Sequence, residues 1–372
     1  MKSNGRAADP RVALVSVGLG RVQRGFERWA SDLFNVLHDK LDFTIYKSGG
    51  TRNDLERVPA WLRPVTAFAR TAPLGRTEYH RDCLAFGLCM LPDLMRGRFD
   101  VIHCVDPPVA VVLQHLRRIT RFSARILFTE GSAIPPGYYP RVDHFHHVSQ
   151  VAFQDAIAMG VPESQMTLIP SGVHTGRFTR VAERDKLREK YGVPKSTFVI
   201  LAISAVKKVH KRVDHIIEEI SRIEGDILLW LDGNPEDPAV AEMARTKLGP
   251  RCRMTHLPSD QVHELYQMAD LLVHASLEES FGLSIVEALS SGLPVLVHQS
   301  PHFQWLVQDS NSLLDMRVGG LLETRVRELL CRRDELQALA ATRAENVRSR
   351  FDWNSLVPDY IKMYRKVASL ND

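Results

Sequence analysis

The sequence predicts an α/β protein with parallel sheets, and three observations support this class. Residues 271–273 form an apolar run typical of a buried strand, and apolar residues recur at helical spacing from Leu283 to Leu289. Gly292, a residue type that commonly ends helices, is followed by a second strand-like run at 293–297. Strand, loop, helix and strand in this order form a βαβ crossover of a parallel sheet.

The same alternation of apolar strands and amphipathic helices occurs elsewhere, and this is the second observation. It pairs a strand at 11–17 with a helix at 26–37, and a strand at 198–203 with a helix at 213–223. The third observation is the length of 372 residues, which exceeds one typical core and indicates two domains.

The loop at 276–282 carries the candidate site, because ligands of parallel sheets bind at the carboxyl ends of strands. Glu279 lies in this loop, and Glu287 follows eight residues later. A helix N-terminus here offers amides that suit anionic oxygens such as those of a diphosphate. These amides belong to Phe281, Gly282, Leu283 and Ser284. Taken singly, either glutamate could instead be a helix-dipole partner or a solvated helix residue.

Over residues 269–297 the chain resembles the E-x7-E signature of glycosyltransferase family 4, a branch of the GT-B glycosyltransferases. The resemblance implies two Rossmann-like domains facing each other across a cleft. The acceptor-binding domain would comprise residues 1–180 with a returning C-terminal helix at 355–372, and the donor-binding domain residues 196–354. The resemblance further implies that Glu279 contacts the donor sugar, that Glu287 binds the nucleotide ribose, and that the anomeric configuration is retained.

Composition sets the broad limits. With 44% hydrophobic and 25% charged residues, the chain matches an ordinary globular protein. No apolar run approaches the roughly 20 residues that span a bilayer, and no secretory signal is recognisable, so a cytoplasmic location is expected. The five cysteines are scattered without a C-x-x-C pair, which favours reduced thiols over disulfides or zinc ligands.

The net charge of +4 is unevenly distributed. Residues 1–180 carry 23 Lys and Arg against 16 Asp and Glu, whereas residues 181–372 carry 25 against 28. The basic first half could meet an anionic acceptor or make peripheral contact with an acidic membrane, or it could simply be a soluble surface. No nucleic-acid partner is expected.

The loop after the first strand holds the acceptor candidates of the first domain. Gly18, Gly20 and Arg21 follow the strand at 11–17, but Gln23 occupies the third glycine position of the dinucleotide fingerprint. A nicotinamide cofactor is therefore disfavoured, and no other cofactor is expected. The resemblance implies that this loop faces the domain cleft, which makes these three residues candidates for acceptor or phosphate contacts.

Two further strands of the first domain end in acidic residues. Asp106 follows a strand at 100–105 and is a further acceptor candidate, and Glu130 follows a strand at 125–129. In the family a histidine commonly stands near this second point, close to the transferred sugar, so Glu130 becomes a candidate catalytic residue in its place. His146 and His147, at a later strand end, are expected to be structural.

The basic run after the strand at 198–203 is the predicted diphosphate contact. Family members usually place an arginine and, six residues later, a lysine here; Lys211 matches the lysine, whereas Ala205 stands at the arginine position. Lys207 and neighbouring basic residues could compensate, although a basic run is usually solvated. Because the chain has no D-x-D pair, we expect charge to be neutralised without a catalytic metal.

The remaining donor candidates come from later loops. Gly233 follows a strand at 227–231, and Leu257 stands where the resemblance implies contacts to the base. Ser259 is predicted to cap a helix at 260–268. A polar linker is predicted at 175–195. Helical regions are predicted at 322–350 and 356–367.

The sequence thus predicts a glycosyltransferase that uses a nucleoside-diphosphate sugar and an unidentified acceptor. Its catalytic residues would be Glu279, Lys211 and Glu130. A non-catalytic GT-B protein that acts as a partner or regulator is the alternative, because the family arginine and histidine are replaced. A sugar-nucleotide epimerase is a third possibility, which the length of the E-x7-E match disfavours.

Overall fold

The computed structural model describes residues 9–22, 24–59, 62–71, 77–96, 98–131, 134–178, 184–332 and 344–370. The chain divides into two compact units. The first comprises residues 1–172 and 354–372, and the second comprises residues 173–353. The polar stretch at 175–195 therefore belongs to the second unit.

Seven parallel strands form the sheet of the first unit, in the spatial order β3-β2-β1-β4-β5-β6-β7. The central strand β1 is buried along its whole length, which explains its continuous apolar sequence. The strands are β1 (Val12–Ser16), β2 (Phe43–Lys47), β3 (Glu56–Arg57), β4 (Val101–Cys104), β5 (Arg125–Glu130), β6 (His144–His147) and β7 (Met166–Leu168).

Five helices connect these strands. They are α1 (Gly25–Leu37), α2 (Leu62–Thr71), α3 (Glu78–Met95), α4 (Pro107–Thr120) and α5 (Gln150–Ala158). The predicted strands and helices near β1, β4 and β5 are confirmed within a few residues. The elements β2, β3, α2 and α3 lie in a segment for which no secondary structure was predicted from the sequence.

The second unit repeats the same plan with six parallel strands in the order β10-β9-β8-β11-β12-β13. Its strands are β8 (Phe198–Ile203), β9 (Ile227–Asp232), β10 (Cys252–Thr255), β11 (Leu271–His274), β12 (Val295–His298) and β13 (Leu313–Leu314). Its helices are α6 (Arg184–Lys190), α7 (Val213–Ser221), α8 (Pro238–Leu248), α9 (Val262–Met268), α10 (Leu283–Ser290), α11 (Pro301–Val307), α12 (Leu321–Leu330) and α13 (344–351). Both sheets are Rossmann-like, as predicted.

Two details of the second unit correct the sequence prediction. The stretch at 175–195, predicted to be a linker, contains the helix α6. Arg188 of this helix is buried and donates to Asp270 over 2.7 Å, so the charged segment packs against the rest of the second unit. Ser259 does not cap α9, which begins two residues later than predicted, after a turn in which the amide of Gln261 donates to the carbonyl of Pro258.

The C-terminal helix α14 (Trp353–Ser369) belongs, from residue 354 onwards, to the first unit. Tyr364 donates its hydroxyl proton to Nδ1 of His103 over 2.6 Å, and Nε2 of His103 bonds to Thr129. Thr129 continues to Nδ1 of His146 (2.8 Å), whose Nε2 donates to the carbonyl of Ile169 (2.8 Å). This buried chain ties α14 to three strands, so the two histidines at its centre are structural.

Candidate active site

The second sheet reverses its strand order between β8 and β11, and ligands of open parallel sheets bind at such a point. We call the region at the carboxyl ends of β8 and β11 the second switch point. The loop 204–212 follows β8, and the loop 275–282 follows β11. Most predicted donor residues lie on these two loops and on the adjoining α10.

An ion pair joins the two loops at the second switch point. Nζ of Lys211 contacts Oε1 of Glu279, and Nε2 of His274 lies 2.9 Å from the same oxygen. Burial would raise the pKa of Glu279, but the hydrogen bond from His274 and the charge of Lys211 hold it well below its usual range. Glu279 is therefore a carboxylate at neutral pH, and it bridges a cation on one loop with the end of β11.

The backbone around Lys211 is held in an uncommon conformation. His210 and Arg212 have φ values of 66° and 50°, in the left-handed region that non-glycine residues rarely adopt. The guanidinium of Arg212 donates to the carbonyl of Met316 over 2.9 Å, which anchors the start of α7. Strained backbone of this kind is common at ligand sites, where it fixes a side chain between two turns.

The loop after β11 ends at the N-terminus of α10. Gly282 is the N-cap residue with a φ of 98°, a value that glycine tolerates without strain. The carbonyl of Phe281 accepts a 2.9 Å hydrogen bond from Nε2 of His302. The ring of Phe281 packs edge-on against the ring of Phe351, with 5.6 Å between the ring centroids. The first amides of α10, including those of Leu283 and Ser284, have no acceptor inside the helix and can receive anionic oxygens.

Glu287, the second glutamate of the signature, is buried on α10 rather than solvated. Tyr266 of α9 donates its hydroxyl proton to Oε2 of Glu287 over 2.7 Å. Burial of a carboxylate is costly unless it is hydrogen-bonded, so this contact fixes the direction of the side chain. The solvated alternative that a single helix glutamate suggests is wrong here.

Three other predicted donor residues occupy neighbouring strand ends. Gly233 follows β9, and a Cβ atom there would lie 2.0 Å from the carbonyl oxygen of Ser204, so only glycine allows the two loops to approach. The amide of Leu257 donates to Asp232 over 3.0 Å. Lys207 forms a 2.8 Å ion pair with Glu236. These residues surround the second switch point without joining the Lys211 pair.

The first sheet has its own switch point between β1 and β4, which we call the first switch point. Asp106 follows β4 and accepts from the amide of Val17 (2.8 Å) and the hydroxyl of Tyr79 (2.7 Å). Burial raises the pKa of Asp106. Burial also raises the pKa of Glu27. The carboxylate of Glu27 lies so close to Gly18 that a Cβ atom on Gly18 would be 2.1 Å from Oε1 of Glu27.

The other two residues predicted in the β1 loop have structural partners. Gly20 adopts a φ of 83°, and a Cβ there would lie 2.3 Å from the carbonyl oxygen of Gly49. The guanidinium of Arg21 donates to Asp82 over 3.0 Å, and Asp82 also binds Arg70. Any phosphate at Arg21 would compete with this carboxylate.

Glu130 is the buried last residue of β5, at the carboxyl edge of the first sheet. Its Oε1 accepts from the amide of Ile134 over 3.3 Å. The pKa of Tyr139 is raised mainly by the burial of Tyr139 itself and, to a smaller extent, by the charge of Glu130. Glu130 pairs in register with His147 on β6. The sequence thus placed this carboxylate at a strand end, and its contact with a sugar stays a prediction.

The sequence did not predict three residues that contact the candidate donor residues. His274 binds Glu279, Tyr266 binds Glu287, and His302 binds the carbonyl of Phe281. One of them carried a signal: a histidine is unusual as the last residue of an otherwise apolar strand such as β11. The other two come from helices α9 and α11, whose packing on α10 no local pattern indicates.

Comparison with known proteins identifies the domain that carries this site. Residues 183–326 match the family model for glycosyl transferases group 1. The matched residues lie entirely within the second unit. The chain is 24% identical over 159 residues to alpha-monoglucosyldiacylglycerol synthase from Acholeplasma laidlawii, with 40% of each chain covered. It is 27% identical over 190 residues to N-acetyl-alpha-D-glucosaminyl L-malate synthase from Bacillus anthracis, with 49% of each covered. The chain thus matches less than half the length of these two glycosyltransferase relatives.

Solved structures establish the fold of the chain. Sucrose-phosphate synthase from Thermosynechococcus elongatus superposes with a TM-score of 0.77 at 18% identity, covering 96% of this chain and 99% of that one. HepE from Anabaena, in complex with UDP and glucose, gives a TM-score of 0.73 at 14% identity, covering 96% and 99%. Both sheets and the returning C-terminal helix therefore belong to a GT-B fold, as the sequence predicts.

The described ranges were also examined for metal-binding side chains and for membrane-spanning helices, because either feature would bear on how a ligand is held. They contain no group of three or more His, Cys, Asp and Glu side chains that could hold a metal ion. None of their helices combines the length and apolar character needed to cross a membrane. The five cysteines are free thiols.

Proposed function

We propose that this chain transfers a glycosyl group from a nucleoside-diphosphate sugar to an acceptor. The observation that carries the proposal is the contact of Lys211 with Glu279 at the second switch point, beside the N-terminus of α10. This arrangement offers a cation and backbone amides to a diphosphate and a carboxylate to sugar hydroxyls. Buried Glu287, oriented by Tyr266, would accept hydrogen bonds from the nucleotide ribose.

The chemical problem in such a reaction is the departure of a nucleoside diphosphate with growing negative charge. Lys211 and the first amides of α10 would stabilise this charge, and preorganised donors of this kind act most strongly where water is excluded. Lys211 would leave Glu279 and bind the diphosphate, while Glu279 would turn to the sugar. We propose that the reaction retains the anomeric configuration and needs no catalytic metal. The resemblance to family 4 and the absence of a D-x-D pair support these two points.

The acceptor would bind at the carboxyl edge of the first sheet. Glu130 and Asp106 lie there at strand ends, with Gly18, Gly20 and Arg21 in the loop after β1. We further propose peripheral contact with an acidic membrane. In support, Phe68 and Ile119 are 72% and 79% exposed, and each shares its helix with an exposed arginine, Arg63 and Arg118 respectively. Sedimentation with anionic vesicles tests this contact.

A ligand panel followed by a transfer assay tests the proposed activity. Thermal-shift measurements with uridine, adenosine and guanosine diphosphates and their sugars should find one nucleotide that raises Tm. The matching sugar nucleotide should then be hydrolysed or transferred, and turnover should survive EDTA. If EDTA abolished turnover and Mg²⁺ or Mn²⁺ restored it, Lys211 and the α10 amides would not be the groups that replace a metal.

A non-catalytic partner or regulator is the second candidate. Ala205 and Glu130 stand where the resemblance implies an arginine and a histidine, and Lys211 is already neutralised by Glu279. Under this alternative the chain would bind a sugar nucleotide but neither hydrolyse nor transfer it across a broad acceptor panel.

A further inference from the structure

Two partners share one oxygen of Glu279, and they differ in how firmly they are held. His274 is the last residue of β11, its side chain is 5% exposed, and its ring packs edge-on against Phe303 at 6.2 Å. Lys211 reaches the same oxygen from a loop, through a flexible four-carbon chain that is 25% exposed. A ligand that attracts cations would therefore displace Lys211 more readily than His274.

We propose that His274 is a positioning residue of the donor site, which keeps Glu279 ionised and directed at the donor sugar when the diphosphate draws Lys211 away. This inference rests on the proposed function, because it assigns the diphosphate to Lys211. It gives His274 a role that neither the signature nor the local sequence pattern assigns.

The physical reason is the cost of a carboxylate that is largely shielded from water, since the side chain of Glu279 is 16% exposed. Burial is the largest influence on the pKa of Glu279 and raises it, whereas the hydrogen bond and the electrostatic effect of His274, followed by those of Lys211, lower it. Once the ammonium of Lys211 is shared with phosphate oxygens, its support for the carboxylate declines. The Nε2–H of His274 then provides the remaining compensation, and the other lone pairs of the carboxylate can accept hydrogen bonds from sugar hydroxyls.

Other titratable groups near this contact do not replace His274. His302 on α11 faces the pair, but its Nε2 donates to the carbonyl of Phe281, and burial lowers its pKa. Glu287 on α10 is hydrogen-bonded to Tyr266. In the loop after β8, Lys211 is the group that the diphosphate would take.

Titration of Glu279 tests the proposal without relying on activity. The protein carries ¹³C-labelled glutamate carboxyl groups, and the resonance of Glu279 is assigned from its loss in Glu279→Gln. We compare the full-length wild type with His274→Leu, which removes the donor, and with His274→Gln, which restores an N–H at similar reach. His256→Leu, at an exposed position of the same unit, is the matched control.

In the protein without ligand, His274→Leu should raise the titration midpoint of Glu279 by about one pH unit or more, and His274→Gln should return it towards the wild-type value. Millimolar inorganic pyrophosphate, which mimics the diphosphate of any nucleotide, should raise the midpoint further in His274→Leu and little in the wild type. A midpoint in His274→Leu that equals the wild-type value, with and without pyrophosphate, would overturn the proposal.

The same experiment separates this inference from the proposed function. If pyrophosphate leaves the Glu279 resonance of the wild type unchanged, the assignment of the diphosphate to Lys211 fails, and the exchange of partners fails with it. The comparison without ligand still decides whether His274 holds Glu279 ionised. In turnover assays, the acidic limb of kcat/KM should move to higher pH in His274→Leu, whereas binding of the nucleoside diphosphate alone should stay within about twofold.

Discussion

The two switch points occupy the same place in two sheets of the same strand order, yet they present different charges. At the second, Lys211 and His274 meet Glu279 and keep the pKa of this carboxylate below its usual range against the effect of burial. At the first, Asp106 binds the amide of Val17, and burial raises the pKa of its carboxyl group. One backbone plan therefore supports an anion site in one unit and an acidic edge in the other.

Under the proposed function, this difference would give the two units separate chemical tasks. A diphosphate needs fixed positive charge and backbone amides, which the second switch point supplies. Hydroxyl groups need carboxylates and other acceptors, which the first switch point supplies through Asp106. Lys47, a cation at the end of β2, is held by Glu56. The anionic acceptor that the overall charge favours stays a prediction.

Removal of the cation at the second switch point should have the largest effect. Lys211→Ala should lower kcat by about 10²–10³-fold, because removing one donor that stabilises developing negative charge typically costs about 2.7–4 kcal/mol. The control is Lys208→Ala, since the Lys208 side chain is 72% exposed. Steady-state rates with the preferred sugar nucleotide decide the matter, and a fully active Lys211→Ala variant would contradict the account of how the diphosphate departs.

Removal of the buried carboxylate of α10 should have a smaller effect on binding. Glu287→Ala removes a charge-assisted acceptor worth about 1.5–3 kcal/mol, so the Kd for the nucleoside diphosphate should rise by about 10- to 100-fold. Glu278→Ala, at an exposed position of the loop 275–282 that precedes α10, is the matched control. Calorimetry that finds equal affinity for both variants would remove Glu287 from the nucleotide site.

The sequence predicted the second switch point better than the first for a physical reason. Glu279, Gly282 and Glu287 belong to one βαβ unit, so a single local pattern places all three. Their supports come from elsewhere in the fold: Tyr266 approaches from α9 and His302 from α11. Local spacing gives no information on such contacts, because they depend on how helices pack.

A charged segment of the second unit was wrongly predicted to be exposed. The stretch at 175–195 was expected to be a polar linker, but Arg188 in α6 is buried and donates to four backbone carbonyls besides Asp270. A buried arginine with all its donors satisfied looks, in sequence, like a solvated one. The burial of Asp270 is equally difficult to predict, because this residue lies directly before an apolar strand, where a charged residue is usually exposed.

Acid should destabilise the first unit before the second. Burial lowers the pKa of His146 to about 3 and those of His144 and His147 to about 4. In the unfolded chain these histidines are protonated near pH 6.5, so above that pH their burial does not reduce the free energy of unfolding. Each histidine then costs up to about 1.4 kcal/mol per pH unit as pH falls towards its folded value. Hydrogen exchange should show β5 and β6 losing protection between pH 6.5 and 5, before β8 and β11 do.

A substitution at His147 provides the matching control. Neither ring nitrogen of His147 has a hydrogen-bond partner within the described part of the chain. His147→Phe should therefore keep the fold and weaken the dependence of protection on pH by about 1 kcal/mol per pH unit. An unchanged dependence in this variant would show that other groups control the acid response of the first unit.

The structure of the protein with its preferred sugar nucleotide tests the central claim most directly. The account predicts that diphosphate oxygens lie within hydrogen-bonding distance of Nζ of Lys211 and of the first amides of α10. It further predicts the ribose on Glu287 and the sugar on Glu279, with His274 still donating to that carboxylate. A complex in which Lys211 stays on Glu279 while the diphosphate binds elsewhere would contradict the account.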